Sequence, residues 1–163
     1  MKRIIIHWTA GNYFPNNDDF EHYHFVIDKN GKVKEGKYKP EDNLNCYDGC
    51  YAAHTGGGNT GSIGVAVCGM RNFKGQWDLG DCPITQVQME AMFKLVAELC
   101  KKYNIQINKN TVFTHYEFGL DNPNTSSKGK IDINFIPYKP ELKSYQIGDY
   151  IRGKVIWYRE RIK

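Results

Sequence analysis

At 163 residues and 18.8 kDa, with 40% hydrophobic residues, the chain is long enough to bury one core and too short to expect two domains. Its 22 basic and 18 acidic residues give a net charge of +4, scattered except for Lys154, Arg159, Arg161 and Lys163. This balance implies no nucleic-acid partner and suits approach to an anionic wall or membrane surface. No run approaches the roughly 18 apolar residues of a membrane span. The N-terminal Met1-Lys-Arg-Ile-Ile-Ile-His7 meets a polar residue too early for a signal-peptide segment, so a soluble chain made in the cytoplasm is expected. Five cysteines at irregular spacing do not read as a disulfide framework. Cys46 and Cys50, the only close pair, are left open between thiols, a disulfide and a metal site.

In chain order, Arg3 to His7 reads as a short buried strand, since three consecutive isoleucines are β-branched and the run is too short for a helix. Gly11 to Asp19, rich in Asn, Asp, Pro and Gly, reads as a loop. Two strand-like runs, Tyr23 to Asp28 and Lys32 to Gly36, flank Asn30-Gly31 and predict a hairpin. Alternation puts Tyr23 and Phe25 on one face and His22, His24 and Val26 on the other. Tyr38 to Gly61, with Gly56, Gly57, Gly58 and Gly61, reads as an extended loop closing into a buried central strand, Ser62 to Cys68. No Gly-Lys-Ser/Thr follows these glycines, which argues against a phosphate loop.

Thr85 to Tyr103 is the clearest helix. Thr85 and Gln88 form a capping box, and Met89, Met92, Phe93, Val96, Leu99, Cys100 and Tyr103 fall at helical spacing as a packing stripe. Thr111 to His115 predicts another strand and Tyr116 to Gly129 a polar loop. A final helix over about 146–161 is expected to dock on the body of the domain through Ile147, Ile151, Val155, Tyr158 and Ile162. Strands interspersed with helices make the chain α/β, a single domain over 1–163.

His7 and His115 each end a predicted strand, and α/β sheets collect functional groups at the carboxyl ends of their strands. If those strands are neighbours, the imidazoles converge and Asp132 can complete a two-imidazole, one-carboxylate set with an open fourth position for zinc. Lys130 lies two residues before that carboxylate. A set of segments in this order resembles the zinc-dependent N-acetylmuramoyl-L-alanine amidases of type 2, which include phage endolysins and share their fold with the peptidoglycan-recognition proteins. The segments are Ile4-Ile-Ile-His7-Trp-Thr-Ala, Tyr23-His-Phe-Val-Ile with Asp28-Lys-Asn-Gly31-Lys-Val, Ala53-His54 with Asn59, Ser62-Ile-Gly-Val65, Thr114-His115 and Lys130-Ile-Asp132.

The resemblance implies a central mixed β-sheet flanked by helices. It assigns one Zn2+ to His7, His115 and Asp132, with Lys130 as the catalytic lysine and Tyr23 as the active-site tyrosine. His54, Asn59 and Trp8 are expected on the substrate side, and His24 as a satisfied core or supporting group. Trp8, Tyr13 and Trp77 are candidates for stacking on sugar. Three departures stand out. His7 to Tyr23 spans 16 residues, shorter than in relatives that place a helix there, so a groove wall is in question. His115 to Asp132 spans 17, longer than usual, which makes Asp121 a competitor for the third ligand. Ala66 stands where some members carry a glutamate, so any base role falls to Tyr23 or to the zinc-activated water.

The implied activity is hydrolysis of the amide between N-acetylmuramic acid and L-alanine in peptidoglycan, by a monomer with no integral membrane association. An endolysin of this kind reaches the wall after export or membrane permeabilisation. A cytoplasmic enzyme recycling muropeptides is the alternative setting, and a non-catalytic peptidoglycan-binding module on the same fold is the alternative class.

Overall fold

The computed structural model describes residues 1–163. Strand β1 (Arg3–Trp8) carries the three isoleucines into the middle of a five-stranded sheet. It pairs in parallel with β4 (Ser62–Val67) on one side and β5 (Val112–Thr114) on the other. β4 also pairs in parallel with β2 (Phe25–Ile27), and β2 closes the far side as an antiparallel hairpin with β3 (Val33–Glu35). The order is β3-β2-β4-β1-β5, a mixed sheet.

Alternation along these strands divides the interior. Ile4, Ile6 and Trp8, with Ile63, Val65, Val67 and Val112, join one large core. Helix α2 (Gln86–Lys102) covers this face with Met89, Met92, Phe93, Val96 and Leu99, each side chain contributing on the order of 1.5–3 kcal/mol by leaving water. The predicted capping box is present, Thr85 Oγ1 accepting from the Gln88 amide and Gln88 Oε1 from the Thr85 amide. Buried Gln88 then donates to the Cys68 carbonyl at 2.7 Å, tying the helix start to the end of β4. The last helix, α4 (Ser144–Arg159), begins two residues earlier than expected, where Gln146 caps the Lys143 amide, and also ends two residues earlier, at Arg159. Its Ile147, Ile151 and Val155 are buried in the same core.

The opposite face carries Ile5 and Phe113 in one small cluster and Val26, Ala66 and Cys68 in another. Three expectations change here. Part of the Gly11 to Asp19 loop is the start of helix α1 (Asn17–His22), capped reciprocally by Asn16 and Asp19. The residues that cap helices are also turn formers, which hid it. The Tyr116 to Gly129 loop opens with helix α3 (His115–Asp121), capped by Thr114 and Glu117. Tyr23 does not share a face with Phe25: it is the C-cap of α1 and precedes β2, so strand alternation starts after it and its ring packs with the Val26 cluster. A 3₁₀ turn (Pro40–Leu44) interrupts the long segment before β4. At the hairpin, Gly31 holds a φ of +77° and Asp28 Oδ1 accepts from the Asn30 and Lys32 amides.

Candidate active site

Parallel pairing of β1 with β5 sets Ile6 against Thr114, so the residues that follow, His7 and His115, stand side by side with ring centroids 4.7 Å apart. Asp132 reaches both: its Oδ2 lies 2.9 Å from His7 Nδ1 and 3.2 Å from His115 Nδ1. The long loop delivers it because Ile133 and Ile136 are fully buried just beyond and the Tyr116 amide donates to the Asp132 carbonyl at 2.6 Å. All three side chains are buried, and their ligand atoms lie within 4.8 Å of one another. Asp121 ends α3, exposed and away from this cluster.

Burial pushes the His7 imidazole below its ordinary value, against the pull of Asp132. For Asp132 burial pushes upward, but the His115 and His7 imidazoles beside it outweigh it and hold the carboxyl below its usual range. A neutral imidazole and an ionised carboxylate are the states a metal takes up. Two nitrogens and one oxygen, buried together at this spacing, suit Zn2+ with a fourth position left open.

Above the cluster is a cavity of about 490 Å³, lined by Trp8, Tyr23, His54, His115, Lys130 and Asp132 among others. Asp132 is the only carboxylate on its wall, and Ala66, beside His7 in the sheet register, offers none. Lys130 is exposed at the rim, and its charge depresses His7. The Tyr23 ring sits 5.2 Å from that of His7, and burial, followed by the charges of Asp132 and Asp19, raises its phenol further above its ordinary value. Burial, with His7 and His24 nearby, pushes His54 well below the imidazole range. His54 Nδ1 lies 3.2 Å from His7 Nε2 and 2.8 Å from Thr55 Oγ1, while its buried Nε2 has no protein partner.

Other candidates are placed elsewhere. Trp8 is 4% exposed and packs edge-on against Phe73, so it is cavity floor and core at once. Asn59 does not line the cavity: its Oδ1 accepts from the Thr55 amide at 2.8 Å and holds the turn that presents His54. Tyr13 donates to the Pro83 carbonyl, and Trp77 is 93% exposed; neither touches the cavity. His22 reaches the rim. Cys46 and Cys50 are free thiols.

His24 is the supporting group expected of it. Its Nδ1 accepts from the Gly64 amide and its Nε2 pairs with Asn43 Oδ1 at 3.0 Å, which fixes the proton on Nε2. Sequence reasoning passed over Gly64, Thr55 and Ser127. An added Cβ at Gly64 would meet the His54 ring at 2.5 Å, so only glycine leaves room for it. Ser127 is fully buried 2.9 Å from His115 Nε2; its one signal was its place in a Ser-Ser pair before the lysine.

The sequence profile of the N-acetylmuramoyl-L-alanine amidase family matches residues 1–132, and the chain belongs to that family. No curated protein sequence matches it. Among solved structures, it resembles the N-acetylmuramoyl-L-alanine amidase LysC from Clostridium intestinale URNW at 19% identity and a TM-score of 0.56, over 95% of this chain and 85% of that one. The E90A mutant of PlyL matches at 21% identity and a TM-score of 0.51, over 98% and 84%. The peptidoglycan recognition proteins LCa and LCx, in an ectodomain complex with tracheal cytotoxin, match at 18% and a TM-score of 0.50, over 78% and 76%. At these identities the likeness is one of fold, a mixed sheet flanked by helices. No helix is long and apolar enough to cross a membrane.

Proposed function

We propose that the chain is a zinc-dependent N-acetylmuramoyl-L-alanine amidase, cleaving the amide between N-acetylmuramic acid and L-alanine in peptidoglycan or muropeptides, and that it works as an endolysin. The observation carrying this reading is the meeting of His7 Nδ1, His115 Nδ1 and Asp132 Oδ2 at the base of a cavity rimmed by Lys130. When bound there, zinc would supply Lewis acidity, which lowers the pKa of a bound water to about 7.

The chain's own residues divide the remaining work. Lys130, exposed on the cavity lining, is the residue we assign to meet the amide oxygen as negative charge grows, a role worth roughly 2.7–4 kcal/mol where a single oxyanion donor is lost. Tyr23 is a phenol at neutral pH, and burial raises it further, so its role is that of a donor orienting water or the carbonyl rather than a base. His54 is neutral, and its unpartnered Nε2 is available to a substrate group in the cavity. With Ala66 on the strand and Asp132 engaged by both histidines, no second carboxylate supplies a general base.

Release of free stem peptide from purified sacculi tests the assignment. Asp132→Ala is expected to abolish it, and Lys130→Ala to slow it roughly 100- to 1,000-fold with sacculus binding retained. Normal turnover in either variant would contradict the proposal.

A further inference from the structure

We propose that Ser127 is a positioning residue that fixes the tautomer of His115, so that Nδ1 rather than Nε2 is the metal-binding nitrogen. This rests on the zinc reading above. The Gly56 carbonyl can only accept, so the Ser127 hydroxyl, 2.7 Å away, must donate to it. That spends the hydroxyl's only proton, and Ser127 Oγ can then only accept from His115 Nε2 at 2.9 Å. His115 therefore carries a proton on Nε2, and its Nδ1 lone pair points at Asp132. A ligating imidazole held through its other nitrogen is the general means of orienting it for a metal.

The packing around this chain of bonds is specific. An added Cβ at Gly56 would overlap the Ser126 hydroxyl, one at Gly57 would overlap the Thr125 methyl, and one at Gly119 would overlap the Ser127 carbonyl. Three glycines, two in the turn after His54 and one in α3, thus admit the loop that carries Ser127. The Lys130 amide donates back to the Ser127 carbonyl, so the same loop also sets the approach of Lys130. The unusual length between His115 and Asp132 thereby gains a purpose, since it threads a hydroxyl behind the ligand before returning the carboxylate in front of it.

Two readouts other than turnover test this. Zinc affinity is measured by competition with a chromophoric chelator for wild type and Ser127→Ala, and the proton positions on His115 are read from ¹⁵N imidazole shifts of the metal-free protein. The expected results are a roughly 10- to 100-fold weaker zinc affinity in the variant, a proton on Nε2 in wild type, and loss of that fixed state in the variant. A folded Ser127→Ala with wild-type zinc affinity overturns the proposal and leaves the zinc reading standing. If the variant does not fold, the wild-type spectrum decides: a bare Nε2 overturns the proposal and a protonated one supports it. A wild-type chain that takes up no zinc overturns the metal reading and this inference together.

Discussion

At Gly64 a single missing methyl group shapes the site, because the His54 ring occupies the space where a side chain would stand. Gly64→Ala should therefore push His54 off its contacts with His7 and Thr55, at a cost of roughly 1–3 kcal/mol in overpacking. The expected outcome is a folded protein with activity on sacculi reduced at least about tenfold, checked by kinetics beside a thermal melt. His24 governs a second effect. In the fold its Nδ1 already accepts a hydrogen bond from a backbone amide, and burial lowers its pKa to about 4 from the ordinary imidazole value of about 6.5. Between those values the unfolded chain binds the extra proton and the folded one does not. Stability linked to His24 is thus complete above about pH 6.5 and lost as pH falls towards about 4, by up to about 3 kcal/mol. Urea midpoints of the metal-free protein at neutral pH and near pH 4.5 should differ in that direction, and His24→Gln should reduce the difference. His24 was read as a satisfied histidine because alternation set it on the face away from Tyr23, although that alternation begins only after Tyr23. Gly64 was not legible, since a steric requirement on one face of a strand depends on what the loop before it brings there.

Among the elements, the helices that pack against the main core were readable and those that present the site were less so. α2 has 17 residues and a full apolar stripe, whereas α1 and α3 have six and seven residues, too few for a period to register. What holds α3 in place is also non-local. Arg152 of α4 donates to both oxygens of Glu117 at 2.9 and 3.1 Å and to the Val112 carbonyl, while Glu117 caps the helix that begins with His115. Gly148 lies so close to Glu117 that a side chain there would overlap its carboxylate. The C-terminal helix is thereby joined to the end of β5 that leads into His115. Arg152→Ala leaves a half-buried carboxylate and a buried carbonyl without their donor, and should cost roughly 2–4 kcal/mol. The corresponding fall in Tm, about 5–15 °C for a chain of this size, is measurable by calorimetry.

For the whole molecule, the strand ends carried the most information. Arg3 to His7 was recognisable as a buried strand and Thr111 to His115 as another strand, and parallel pairing of β1 with β5 brings their terminal histidines together. The third group was harder because 17 residues separate it from His115, and only the burial of Ile133 and Ile136 and the packing of the intervening loop bring Asp132 back. The short segment before Tyr23 keeps a six-residue helix, so the groove has some wall on that side. The central claim is zinc-dependent amide cleavage, and its most direct measurement is the appearance of new L-alanine amino termini when metal-stripped protein is incubated with purified sacculi, with and without added zinc. The account predicts that such termini appear only with zinc and in step with released stem peptide. Binding to sacculi that yields no new L-alanine termini in the presence of zinc would contradict it.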